Sequence, residues 1–394
     1  MLDPYTSPLD SAIISCVNIS RASLPRILFF CFCVLLAATP LHAQTATPTA
    51  TSLTPGPKPA DAPLEWKQLL GIYGKGNNSV IVLESNGQLI WHGNGGDSSI
   101  QDLGHSELVI ANKYGNSSVA TENRDSDGNV TMLELAPKVA LPADPGSHPA
   151  HSYRLVHSLH LSRVDAGADP AHFYHITPTK PLEELRAAAF ASRPPEEPGL
   201  FRKPDLVELI TLDSAIHLDI RYAHNDNFLG TPLYTQARAF LQRPAAEALL
   251  RVLRKLQPLG YGLLIHDGYR PWYITRVFWD ATPPEGHDFV ADPKKGSKHN
   301  RGCAVDLTLY ELATGKEAEM PGLYDEMSPR SYPTFPGGTS LQRWHRDLLR
   351  RAMEAEGFAV NQYEWWHFDY KDWKLYPLQN VPFEKLDTLA TSSN

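Results

Sequence analysis

Two stretches of this 394-residue chain hold side chains that can act together chemically. In Ser297-Lys-His299-Asn-Arg-Gly302-Cys-Ala304-Val-Asp306 an imidazole and a carboxylate are too far apart for one helical turn. A reversal at Arg301-Gly302 would aim both at one spot. In Glu364-Trp-Trp-His367 a glutamate precedes a histidine by three positions and can set its carboxylate beside a metal-bound imidazole. Two imidazoles and one carboxylate, with a free glutamate beside them, give the layout of a catalytic zinc site, three protein ligands and an open fourth position. Such a metal lowers the pKa of its water to about 7 and polarises a carbonyl, while the nearby carboxylate carries the proton. The chain has 16 histidines, so a histidine near an acid also arises by chance. On spacing alone the same residues read equally well as a surface histidine beside a solvated aspartate, with Trp365 and Trp366 in the core.

The elements that would position these residues lie in the C-terminal half. Glu247 to Leu256 has helical apolar spacing, and Tyr261-Gly-Leu-Leu-Ile-His266 reads as a buried strand. Cys303 to Leu309 alternates as a strand, and Leu341 to Glu356 reads as an amphipathic helix stopped by Gly357. Helices and strands without regular βαβ alternation give an α+β fold over 205–379. Ahead of it, short alternating runs between Trp66 and Val164, broken at Ser85-Asn-Gly87 and Asp125-Ser-Asp-Gly-Asn129, predict a small antiparallel all-β domain over 63–164. The Asp125 stretch has its glycine in the wrong place for a calcium loop and reads as a tight turn. Spacers are expected at 44–62 and at 165–204, the second with a short helix from Leu182 to Phe190, and a tail at 380–394.

The pattern Ser-x-His-x-x-Gly-x-Ala-x-Asp followed by Glu-x-Trp-His resembles the zinc D-Ala-D-Ala metallopeptidases. Three further stretches resemble the D-alanyl-D-alanine dipeptidase branch: Asp219-Ile-Arg-Tyr222-Ala-His-Asn-Asp-Asn227-Phe228, Tyr261 through Asp267-Gly-Tyr-Arg270-Pro271, and Leu323-Tyr-Asp325-Glu-Met. The resemblance runs in order over about 205–375. It implies a catalytic domain with an antiparallel sheet and flanking helices. It further implies that His299, Asp306 and His367 bind one Zn2+, that Glu364 is the general base and later acid, and that Arg270 stabilises the oxyanion. A guanidinium suits that role, being always charged and presenting a rigid fork of donors. Asp325 is implied to hold the free ammonium of the substrate, Tyr222 and Ser297 to lie near the bound dipeptide, and Asp267 to orient Arg270. Plainer readings stand beside these: Arg270 as a salt-bridge partner, Asp325 and Asp267 as turn acids, Tyr222 as packing, and Ser297 as a turn cap. Cys303 reads as small core filler. His266 departs from the apolar or aromatic residue expected there and reads as a satisfied buried histidine. The β domain resembles small β-barrel modules appended to some secreted bacterial hydrolases.

The implied activity is hydrolysis of D-Ala-D-Ala or a related D,D-dipeptide. A D,D-carboxypeptidase acting on peptidoglycan stem peptides shares the chemistry, and a non-catalytic wall-binding protein shares the fold. A formal net charge of −8 gives no basic field for nucleic acid, and a composition 42% hydrophobic and 20% charged is that of a globular protein. Arg21 and Arg26 before the apolar run Ile27 to Ala38, and then Ala43, predict a signal peptide over 1–43, with an uncleaved signal anchor as the competing reading. That run is short for a membrane span, which needs about 20 residues, so no stable span is expected after cleavage. Cleavage would leave only Cys303, which rules out an internal disulfide. Export without disulfides points to the bacterial periplasm.

Overall fold

The computed structural model describes residues 53–137, 159–164 and 174–386. The expected signal at 1–43 lies outside the described residues. A short helix, α1 (Leu64–Leu69), leads into eight strands: β1 (Gly71–Tyr73), β2 (Val80–Ser85), β3 (Gln88–Gly93), β4 (Gly96–Asp102), β5 (Glu107–Asn112), β6 (Ser117–Arg124), β7 (Val130–Pro137) and β8 (Leu159–Ser162). Each pairs antiparallel with its chain neighbour. The sheet closes on itself: Tyr73 bridges Arg163, Gly74 N donates to Ser162 O at 2.8 Å, and Val164 N donates to Ile72 O at 2.9 Å. Among the described residues this join pairs the first strand with the last, which shortens the bare edge that another chain could extend. Inward residues such as Val82, Leu89, Leu108, Leu133 and Leu161 fill the barrel, joined by Leu69 and Leu70 from the end of α1.

Local sequence explains the turns. Asn86 and Gly87 both take positive φ, 51° and 77°, so they form the two-residue hairpin whose twist suits flanking strands. Asp125 Oδ1 accepts from the backbone N–H groups of Asp127 and Asn129, a tight turn that spends the carboxylate on the chain itself. The first four residues of β2, Val80 to Leu83, are apolar without alternation because both faces are covered there. Val82 points into the barrel, while Leu83 lies against the second domain through a bridge to Gly338.

That domain is α+β. After α2 (Leu182–Ala191) come β9 (Leu206–Glu208), β10 (Ile216–Leu218), β11 (Phe240–Gln242), α3 (Arg243–Leu256), β12 (Tyr261–Asp267), α4 (Trp272–Ala281), β13 (Ala304–Glu311), α5 (Ser340–Glu354), β14 (Phe358–Val360) and β15 (His367–Tyr370). Five strands form one sheet in the order β10-β12-β13-β15-β14, and β9 pairs with β11 in a separate ribbon. The expected antiparallel sheet has one exception, since β10 runs parallel to β12. The long connection through β11 and α3 makes that crossover possible, as a parallel pair requires. Helix α3 buries Ala245, Leu249, Val252 and Leu256 along one side and ends near Gly260 in left-handed geometry. Helix α5 opens on a capping box: Thr339 Oγ1 accepts from Gln342 N at 3.0 Å, and Gln342 Oε1 accepts from Thr339 N at 2.9 Å.

Two segments expected to be peripheral are packed. Leu185 and Ala189 of α2 are buried in the core of this domain, and Phe190 meets Tyr273 of α4 edge to face. Past residue 379, Phe383 is buried against Tyr234 and Phe240. Alanine-rich and proline-rich sequence hides these contacts because each rests on one or two apolar side chains.

The barrel grips the start of α5. Glu84, 3% exposed, accepts from Ser340 N at 2.6 Å and from Gly87 N at 2.6 Å, and Arg343 donates to the Glu84 carbonyl at 2.7 Å. A carboxylate thus caps a helix N-terminus across a domain boundary. Glu84→Ala should lower unfolding stability by about 1.5–3 kcal/mol, the worth of hydrogen bonds to a charged group. Urea unfolding checks this, and Asp61→Ala, at an exposed ion pair, should cost under about 1 kcal/mol.

Candidate metal centre and catalytic cleft

Three adjacent strands lay acidic and imidazole groups in one row. Asp306 on β13 is directly opposite Asp267 on β12 and directly opposite His367 on β15. The β12–β13 register shifts between Ile265 and Asp267, so His266 is the extra residue of a bulge that brings Asp267 into the row. His299 arrives from a 3-10 turn, His299–Arg301, that ends on Gly302 at φ 66°. A Cβ on Gly302 would lie 2.5 Å from Leu206 Cδ2, so both space and backbone favour glycine at this reversal.

The result is a convergence of lone pairs. Asp306 Oδ1 lies 3.2 Å from His299 Nε2 and 3.0 Å from His367 Nδ1, and the two nitrogens are 3.1 Å apart. The opposite nitrogen of each ring is engaged. His299 Nδ1 donates to the Gly268 carbonyl at 2.7 Å, and His367 Nε2 donates to Asp369 Oδ1 at 2.9 Å. A carbonyl only accepts, so the proton of the neutral His299 ring is on Nδ1 and its Nε2 is a bare acceptor. Asp306 Oδ1 is buried without a hydrogen-bond partner. With both rings neutral and their protons on the outer nitrogens, three buried acceptors face one another, and a cation among them relieves their repulsion. Their separations approach the roughly 3.3 Å between ligands on a tetrahedral ion with bonds of about 2.0–2.1 Å. The donor set therefore fits a divalent metal of the zinc type.

Around this centre lies a cavity of about 710 Å³, lined among others by Tyr222, Arg270, Ser297, Asp325 and Glu364 together with the three metal-facing residues. Glu364 Oε2 is 3.6 Å from His367 Nδ1 and accepts from Asn361 Nδ2 at 2.9 Å. Burial pushes its carboxyl up to about 8. Arg270 stacks over Phe278 at 4.6 Å, and one of its terminal nitrogens lies 3.6 Å from Asp306 Oδ2. Burial disfavours its charge, but Asp267 and its other anionic neighbours hold the guanidinium protonated well above its ordinary range. Asp267 lies behind Arg270, outside the cavity lining. It accepts from Arg270 Nε at 2.8 Å, Tyr234 Oη at 2.9 Å and Gly268 N at 2.8 Å.

Asp325 is held at φ 58°, an uncommon backbone for a non-glycine residue. Its Oδ1 accepts from Tyr222 Oη at 3.0 Å, and its Oδ2 is buried without a hydrogen-bond partner. Burial, with repulsion from Asp306, pushes the carboxyl up to about 7. Tyr222 is wedged among Phe228, Tyr234 and Phe278, so its packing and its contact to Asp325 coexist. Ser297 Oγ accepts from His299 N at 3.2 Å, which makes it the cap of the turn that carries His299.

Other residues differ from or add to the sequence reading. His266 is only half satisfied: its Nδ1 lies 3.2 Å from the Asp219 carbonyl, while its buried Nε2 has no hydrogen-bond partner. Its ring stacks on Tyr324 at 4.5 Å. The Tyr324 hydroxyl donates to Asp306 Oδ2 at 3.2 Å, a contact that sequence reasoning missed because an aromatic beside Asp325 has no distinguishing pattern. Asp369 and Asn361 were also missed, although His-x-Asp on a strand puts both side chains on one face. Cys303 is fully buried, its thiol pushed up to about 12 by burial, as inert filler.

Comparison with known proteins covers this domain. A family model described as D-ala-D-ala dipeptidase matches residues 202–385. The D-alanyl-D-alanine dipeptidase of Escherichia coli K12 is 35% identical over 174 residues, which is 44% of this chain and 89% of that protein. Those of Enterococcus faecalis V583 and Streptomyces coelicolor are 35% and 36% identical, over 41% of this chain and 90% and 89% of their own lengths. The barrel lies outside the matched region. His299→Ala should retain well under one equivalent of metal by elemental analysis after dialysis, with Cys303→Ala retaining the full complement.

Proposed function

Since the chain belongs to the D-alanyl-D-alanine dipeptidase family of metallopeptidases, we propose that it is a zinc-dependent dipeptidase acting on D-Ala-D-Ala or a related D,D-dipeptide. Zinc, when bound by His299 Nε2, Asp306 Oδ1 and His367 Nδ1, supplies Lewis acidity and lowers the pKa of water toward 7. Glu364, buried beside this centre, takes the proton of the attacking water and delivers it to the leaving amine. Its burial beside the centre leaves it with few competing partners, Asn361 being the donor that orients it. Arg270, fixed by Asp267, stabilises the negative charge that develops on the carbonyl oxygen. Asp325 pairs with the free α-ammonium of the substrate, and Tyr222 holds the carboxylate in place.

The observation that favours a dipeptide over a longer stem peptide is the unpartnered Asp325 Oδ2. A free ammonium supplies the missing donor and the compensating charge. In a stem peptide the same nitrogen is a neutral amide, which leaves a buried carboxylate uncompensated. Export to the periplasm, from the basic flank and apolar run at the N-terminus, is part of the proposal.

Assay of free D-Ala-D-Ala beside N-acetyl-D-Ala-D-Ala and a stem pentapeptide tests this reading, and activity confined to the pentapeptide would overturn it. Asp325→Asn should lower kcat/KM for the free dipeptide about 10- to 100-fold, as loss of a charged hydrogen bond implies, and should narrow its lead over the acetylated form. Glu364→Gln should remove measurable turnover while zinc content stays at one equivalent.

A further inference from the structure

We propose that Asp369 is a positioning residue for the metal centre, fixing the ring orientation and tautomer of His367 through a carboxylate–imidazole bond. This inference rests on the zinc reading above. His367 and Asp369 are two apart on β15 and so share one face of the sheet. The cross-strand neighbours of Asp369 are Ala304 on β13 and Ala359 on β14, side chains short enough to leave its carboxylate room beside the imidazole. One carboxylate oxygen accepts from His367 Nε2 at 2.9 Å, and the other pairs with Lys298 Nζ at 3.2 Å. Lys298 immediately precedes His299 and lies over the Trp373 ring at 5.5 Å.

The two imidazoles are therefore supported differently. His299 leans on a neutral backbone carbonyl and His367 on an anion. A proton held on Nε2 by Asp369 leaves Nδ1 as the lone pair that faces Asp306 and His299. Without that acceptor the ring can rotate, or carry its proton on Nδ1, and either change closes the site to a cation. An anionic partner also makes the imidazole a stronger donor to a metal. Lys298 keeps the carboxylate from turning toward the cation, where it would compete as a ligand.

Zinc affinity of the full chain, measured by competition with a chromophoric chelator, tests the proposal without reference to turnover. Asp369→Ala should bind zinc about 10- to 100-fold more weakly than the unaltered protein. Asp369→Asn, which keeps the shape and an acceptor oxygen but not the charge, should bind about tenfold more weakly. Lys298→Met, which leaves the carboxylate–imidazole bond in place, should stay within about fivefold, since its ion pair is partly exposed. The visible spectrum of the Co2+-loaded protein should shift in both Asp369 variants, reporting an altered ligand field. Metal-free melting temperatures identify a folding defect, and Asp369→Asn carries the test if the alanine variant fails to fold. Zinc affinity of Asp369→Asn equal to that of the unaltered protein would overturn the inference. So would a loss in Lys298→Met as large as that in Asp369→Ala. An unaltered protein that takes up no zinc would instead reject the zinc reading itself.

Discussion

Three side-chain atoms that converge to within about 3 Å of one another are the constraint on which the rest of the catalytic domain depends. They are Asp306 Oδ1, His299 Nε2 and His367 Nδ1. Their closeness is enforced from outside: by the Gly302 reversal, by the register that sets Asp306 opposite His367, and by partners that occupy the far side of each group. Tyr324 holds the other oxygen of Asp306, Gly268 the far nitrogen of His299 and Asp369 the far nitrogen of His367. Packing and hydrogen bonds thus hold three ligand atoms in place for a cation.

The same outward-in order runs through the scaffold. Helices α3 and α5 bury the sheet, the sheet fixes the row Asp267–Asp306–His367, and the row fixes the centre. The bulge at His266 sits inside this chain of dependence, because in unbroken register His266 and not Asp267 would stand opposite Asp306. The barrel acts farther out. Its Glu84 and Leu83 engage Gly338 and Ser340, which follow the Asp325 loop into α5, so the barrel tethers one end of that loop.

Legibility in the sequence tracked how local each signal is. The helices α3 and α5 and the strands β12 and β13 follow from periodicity, and the antiparallel character of the β domain, though not its count of eight strands, follows from its turns, Asn86-Gly87 above all. The convergence of His299, Asp306 and His367 follows from motif spacing joined to a family resemblance; spacing alone left a solvated histidine equally open. Closure of the barrel through Tyr73 and Arg163 follows from the resemblance to small β-barrel modules and from no local pattern, because it pairs residues from opposite ends of the domain. The parallel β10–β12 pair depends on a crossover and not on composition. The packing of α2 depends on Leu185 and Ala189, too few apolar positions to separate from a spacer helix. Tyr324 and Asn361 act through other residues and leave no spacing rule to find, whereas the His-x-Asp alternation of β15 carries a signal for Asp369.

One further consequence comes from the burial of the cleft charges. Arg270, Asp267 and Asp306 lie at the low-exposure limit, and Asp325 presents its free oxygen to a cavity instead of to bulk solvent. Mobile ions screen exposed charges beyond about 8–10 Å but penetrate such a site poorly. Substrate recognition that rests on these groups is insulated from the ionic strength of the medium, in contrast to recognition by a charged surface. The chemistry of this cleft is thereby uncoupled from the salinity of its surroundings, while the exposed ion pairs on the outer surface of the molecule come and go with it.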